Sequence, residues 1–133
     1  MGRKILFITT DQMRSLTQNQ IGSLNADLIG SLSDEQLVAI TTGGIGAISA
    51  TQVHALTTHE MATLSTSQVA SLQAAAVAAL NSGQVVALQT AQIVALTQTQ
   101  IASLSNDNIA SLQNGQIEVI ETQDIAALTA SQV

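Results

Sequence analysis

One cluster of side chains in this sequence has ligand types that could hold a metal ion: His54, His59 and Glu60. Imidazole nitrogens and carboxylate oxygens are zinc ligands, but a zinc site needs three or four of them converging, with further groups to orient the rings. If Thr57 opens a helix, His59 and Glu60 lie in its first turn and His54 in the segment before it, so the three would meet only across a particular bend. The expectation is exposed, variable positions and no metal site. Gly43-Gly44-Ile45-Gly46 has the glycines of a phosphate loop but neither the Lys-Ser/Thr partner nor the preceding strand. It marks a weakened repeat, a bend, or a place where a side chain would clash. Asp11 is the remaining candidate, a lone carboxylate. Only 9% of residues are charged, against roughly 25% in average globular proteins, and proton transfer needs placed titratable groups. The chain is expected to be non-enzymatic, with no catalytic, cofactor-binding or metal-ligating residues and no cofactor.

The elements that must position these residues repeat every eight positions. A leucine or isoleucine recurs from Leu16 and Leu24 through Ile40, Ile48, Leu72 and Leu96 to Ile120 and Leu128, and five positions after each comes a second apolar residue, as in Ile21, Val53, Val77 and Ile101. A fixed period of this kind is the signature of a tandem-repeat solenoid. In the unit Leu16 to Leu24, Thr17 and Gln20 form the capping-box pattern, in which hydroxyl and amide satisfy each other's backbone N–H groups. It recurs as Thr9/Gln12, Ser33/Gln36, Ser49/Gln52, Thr57/Glu60, Ser65/Gln68, Thr97/Gln100 and Thr129/Gln132. Leu16 and Ile21 flank the cap as a hydrophobic staple. Ile21 and Leu24, three apart, share one helical face.

Each octad therefore reads as about two turns of helix followed at once by the next cap. Helices below roughly 12 to 15 residues are marginal alone, so stacking must stabilise them. No Gly or Asn is regularly placed for a left-handed C-cap, and the last carbonyls of each helix need another partner. A second period overlies the first: Gln20, Gln36, Gln52, Gln68, Gln84, Gln100, Gln116 and Gln132 stand sixteen apart, while the intervening octads carry Gln12, Leu28, Gly44, Glu60, Ala76, Gln92, Asn108 and Asp124. Either one coil takes two octads and stacks these Gln in a row, or a sixteen-residue segment was duplicated. The fold expected is all-α, a solenoid of short helices, one per octad, with two octads (16 residues) per coil. A β-solenoid is the alternative, disfavoured by the Ala-rich run Ala74 to Leu80 and the lack of period-two alternation. Residues 1–8 form a basic and apolar N-terminal segment, and 9–133 the octapeptide solenoid.

With no Cys, Pro, Trp or Tyr and one Phe, the core must be aliphatic and the surface Thr, Ser, Gln and Asn. The apolar stretch Ile5 to Ile8 is too short for a secretory signal or a membrane span. A net charge of −6 without stacking aromatics disfavours nucleic acid. Arg3, Lys4 and Arg14 lie at one end, Glu118, Glu121 and Asp124 near the other. Sequence position is axial position in a solenoid, and opposite end charges favour head-to-tail encounter. The octad frame runs from Ile8 to Val133 without an atypical capping repeat, and contacts of this heterologous kind build filaments. The partner expected is the chain itself.

Lys4 to Gln12 resembles the first strand of sulfatases, where the Asp, here Asp11, binds a divalent metal. Their nucleophile motif of Cys or Ser followed by Pro and Arg has no counterpart here, and Thr9 and Gln12 fall in the octad cap frame. The octads over residues 8–133 resemble the L-T-x-x-Q-I-x-A/S-L repeats of large bacterial adhesin-like or surface-associated proteins. That resemblance implies a cell-surface or extracellular setting and, as an alternative function, an adhesin-like module presenting a Thr/Gln face. Such proteins are usually longer and carry export or anchoring segments.

Overall fold

The computed structural model describes residues 7–120, 125, 126 and 128. Among them the chain forms fourteen short helices and no strand, so the β-solenoid alternative has no support. The helices are α1 (Thr10–Arg14), α2 (Gln18–Gly22), α3 (Ala26–Ile29), α4 (Asp34–Ala39), α5 (Thr42–Gly46), α6 (Ala50–His54) and α7 (Thr58–Thr63). They continue as α8 (Thr66–Ala70), α9 (Ala74–Ala78), α10 (Ser82–Val86), α11 (Thr90–Ala95), α12 (Gln98–Ser103), α13 (Asn106–Ser111) and α14 (Asn114–Glu118). One helix forms per octad.

Local sequence explains most of the starts, α3 and α9 having no side-chain cap bond. The boxes Thr9/Gln12, Thr17/Gln20, Ser33/Gln36, Ser49/Gln52, Thr57/Glu60, Ser65/Gln68 and Thr97/Gln100 all close in both directions, as does Asn81/Gln84. Thr129/Gln132 lies outside the described residues. The staple partners are the core: Ile21, Val53, Val69, Val77 and Ile101 are at most 1% exposed, with Leu72, Leu80 and Leu96 beside them. Helices of four to six residues hold together through this shared burial rather than through their own propensity.

The stacking period is not sixteen residues. Every substantial helix-to-helix contact joins partners three apart in the chain: α1 with α4, α2 with α5, α3 with α6, and so on to α11 with α14. Thus α4, α7, α10 and α13, which begin at Asp34, Thr58, Ser82 and Asn106, form one column at a spacing of 24 residues. The sixteen-residue Gln series is dealt out among three columns instead of stacking in one row. The two-octad coil is therefore replaced by one of about three octads. The faces that bury Ile21-type and Leu24-type residues belong to helices that each pack on the helix three octads on. The result is a solenoid-like array.

Candidate functional site

The last carbonyls of many of these helices do find a partner, and it comes from another coil. At the third helical position, the Gln side chain places Oε1 on the backbone N–H of its own cap residue. Its Nε2 then crosses to the coil before. Gln52 accepts from Ser49 N–H at 2.9 Å and donates to the carbonyls of Ile21 at 2.9 Å and Leu24 at 2.8 Å. Gln92 accepts from Gln89 N–H at 2.7 Å and donates to Met61 at 2.8 Å and Leu64 at 2.7 Å.

The same register, 31 and 28 residues back, recurs at Gln68 onto Leu37 and Ile40, Gln84 onto Val53 and Leu56, Gln100 onto Val69 and Leu72, and Gln116 onto Val85 and Leu88. An amide has one acceptor atom and two donor hydrogens, so a single Gln ties a helix start to its cap and to the end of an earlier helix. All six are buried, Gln84 at 1% exposure. Leaving such groups unpaired would cost about 1–3 kcal/mol each. No residue among those described has positive φ, and this amide seam does the work that a left-handed C-cap would otherwise do. Where the position before the leucine is Ser, its hydroxyl adds a bond to the carbonyl four residues back, as Ser23 does to Asn19 at 2.7 Å.

Sequence reasoning found the cap half of the Gln and missed the donor half. The signal was available. A capping box takes Glu or Gln alike, yet this position carries Gln throughout most of the array and Glu once, at Glu60. A requirement for a donor at the second branch of the side chain accounts for the bias.

The residues read as candidate chemistry are placed apart. His54 is exposed at the end of α6. His59 lies on the α7 surface with Nε2 3.0 Å from Asp34 Oδ2 of α4, while Glu60 turns inward to its cap and is 3% exposed. Among the described residues no three His, Cys, Asp or Glu side chains gather as ion ligands. Asp11 is almost wholly exposed and pairs with Arg14 at 3.0 Å, one turn away on α1. Gly43 to Gly46 sits inside helix α5; a Cβ on Gly44 would lie 2.9 Å from Ile40 Cγ2, so this stretch is a steric accommodation. A shallow cleft between α1 and α4, lined by Thr10, Arg14, Asp34, Glu35, Val38 and Ala39, gathers no paired acid and base around an enclosed space. Of the end charges, Arg14 is engaged with Asp11, and Arg3, Lys4, Glu121 and Asp124 lie outside the described residues. No described helix is long and apolar enough to cross a membrane.

No curated protein and no solved structure shows a significant match to this chain. The ALTTAQ repeat, in contrast, is matched twice, over residues 33–66 and 77–114, together more than half of the sequence. Those stretches hold most of the amide seam, with its capped helix starts and its cross-coil Gln bonds, and the chain belongs to the ALTTAQ repeat family.

Proposed function

We propose that this chain is a non-enzymatic structural repeat, a rigid spacer whose coils also let copies associate head to tail into a filament. The observation that carries this reading is the recurrence of the seam: at six Gln one register, 31 and 28 residues, joins successive coils whatever their surface residues. Such an interface recognises the octad frame rather than a particular partner. Gln12 and Gln20 make their caps but are exposed, unlike their buried counterparts. On the opposite side Ile117 is 40% exposed, where the equivalent Ile101 is fully buried.

Apolar burial would drive the head-to-tail contact, and the amides would fix its register. An adhesin-like Thr/Gln face has less support, because the cap hydroxyls and third-position amides are consumed within the fold. The test is light scattering and electron microscopy on the purified chain over a concentration series. Particles that lengthen with concentration, and that Gln20→Arg or Ile117→Arg shortens, are the expected result. A monodisperse monomer at high concentration would sink self-association and leave the spacer reading.

A further inference from the structure

One carboxylate occupies a place built for an amide. Glu60, at the third position of α7, makes the cap bonds of its neighbours: Oε1 accepts from Thr57 N–H at 3.0 Å, and Thr57 Oγ1 accepts from Glu60 N–H at 3.0 Å. Its other oxygen, Oε2, is buried without a hydrogen-bond partner. In the equivalent Gln residues that branch is an NH2 group donating to carbonyls 31 and 28 residues earlier. For Glu60 those positions are Ile29 and Leu32, at the end of α3 and the turn after it. An ionised carboxylate only accepts, as carbonyls do, so the register would bring oxygens together with no hydrogen between them.

We propose that Glu60 binds a proton at Oε2 when α7 is seated on the coil before it, the Oε2–H donating to the carbonyl of Ile29 or Leu32, and that ionisation of this carboxyl loosens the array at that coil boundary. The sibling seams hold nitrogen and carbonyl oxygen 2.7 to 3.0 Å apart, and an O–H···O bond fits the same gap, at about 2.5–3.0 Å. A sodium- or calcium-like ion does not, since calcium takes about six to eight oxygens at roughly 2.3–2.6 Å and would have to part the coils.

The surroundings favour the neutral form. Burial pushes the Glu60 pKa up from the ordinary carboxylate range; the Thr57 bonds oppose this, Asp34 reinforces it and His59 opposes it. The titratable groups on the elements packed against α7 are Asp34 and Glu35 of α4, and α10 contributes none; His59 lies on α7 itself, and Asp27 on α3, the helix that ends at Ile29. A carboxyl whose folded pKa is raised stabilises the fold fully below its unfolded pKa, and that stabilisation is lost as pH rises through the folded value.

The test is thermal melting of the full chain between about pH 4 and pH 8, for wild type, Glu60→Gln, His59→Asn and the double variant, with infrared difference spectra of wild type against Glu60→Gln. Wild type should lose several degrees of Tm relative to Glu60→Gln as pH rises, the two curves should converge in acid, and the gap should persist without His59. A protonated-carboxyl band should remain in wild type above the pH at which exposed carboxyls ionise, and be absent from Glu60→Gln. Parallel melting curves, or no such band, would overturn the proposal. So would a Tm of wild type at neutral pH that sodium or calcium raises and Glu60→Gln does not share. Should Glu60→Gln fail to fold, the infrared titration of wild type alone decides.

Discussion

The seam beneath α12 and the seam beneath α9 share an apolar core and differ in the polar groups that line it. In α12 the third position is Gln100, whose amide bonds the carbonyls of Val69 and Leu72. In α9 it is Ala76, over Ile45 and Ile48, with a methyl where the amide would be. The cores match: Val77, Ile45 and Ile48 are as buried as Ile101, Val69 and Leu72. Apolar burial therefore sets how closely coils approach, and the amide answers a separate need, the hydrogen bonding of helix-end carbonyls. At the amide-free seam a different residue reaches in from the edge, Gln73 donating to Gly46 O at 2.6 Å.

If the core is common to both seams, breaking it should cost the same in each, and this is the largest effect expected. Leu72→Asn and Ile48→Asn should each lose about 3–5 kcal/mol, combining the cavity with a buried amide that lacks designed partners. Urea denaturation monitored by circular dichroism measures both. A loss confined to the amide seam would mean that Gln100, and not apolar contact, carries the stacking.

Next comes the amide itself. Gln100→Leu keeps the volume and removes its bonds to the Thr97 N–H and to the carbonyls of Val69, Ala70 and Leu72, and should cost about 2–3 kcal/mol. A silent substitution would refute the role assigned to the seam. The converse change sharpens the comparison: Ala76→Gln should gain about 1 kcal/mol by supplying the missing donor. Gly44→Gln should lose stability instead, because even a Cβ there meets Ile40 and Ile21. If Ala76→Gln also destabilises, the α9 seam has closed around its methyl as the α5 seam has around Gly44.

These outcomes bear on why half of the architecture can be read from sequence and half cannot. Caps, staples and the choice of core residues involve partners three to five apart, so Thr17, Gln20 and Ile21 declare the helix and its buried face. The coil period is set by contacts 24 residues apart, which no octad encodes. The sixteen-residue alternation of Gln does not correspond to any stacking distance. The lack of a Gly or Asn C-cap pointed to a missing donor; locating it needed the coil geometry that brings Gln52 to Ile21. The acidic third position Glu60 and its ligand-like neighbours His54 and His59 read as one cluster along the chain, yet burial separates them, with Glu60 inside and both His exposed.

The smallest effect isolates the substitute bond. Gln73 reaches Gly46 O from an exposed position, where water competes for both groups, so Gln73→Ala should cost no more than about 0.5–1 kcal/mol. Its interest lies in coupling. Ala76→Gln would supply the carbonyls of Ile45 and Ile48, on either side of the Gly46 carbonyl, and the new Nε2 would lie near the one 30 residues back, as Gln100 does with Ala70 at 3.3 Å. Gln73 then becomes redundant, and Gln73→Ala should cost nothing in the Ala76→Gln background. A double-mutant cycle reads the difference, since contacts sharing a partner are non-additive by about 0.5 kcal/mol or more. Full additivity would show that the edge bond and the seam act on separate parts of the helix end, and that Gln73 does not stand in for the absent amide.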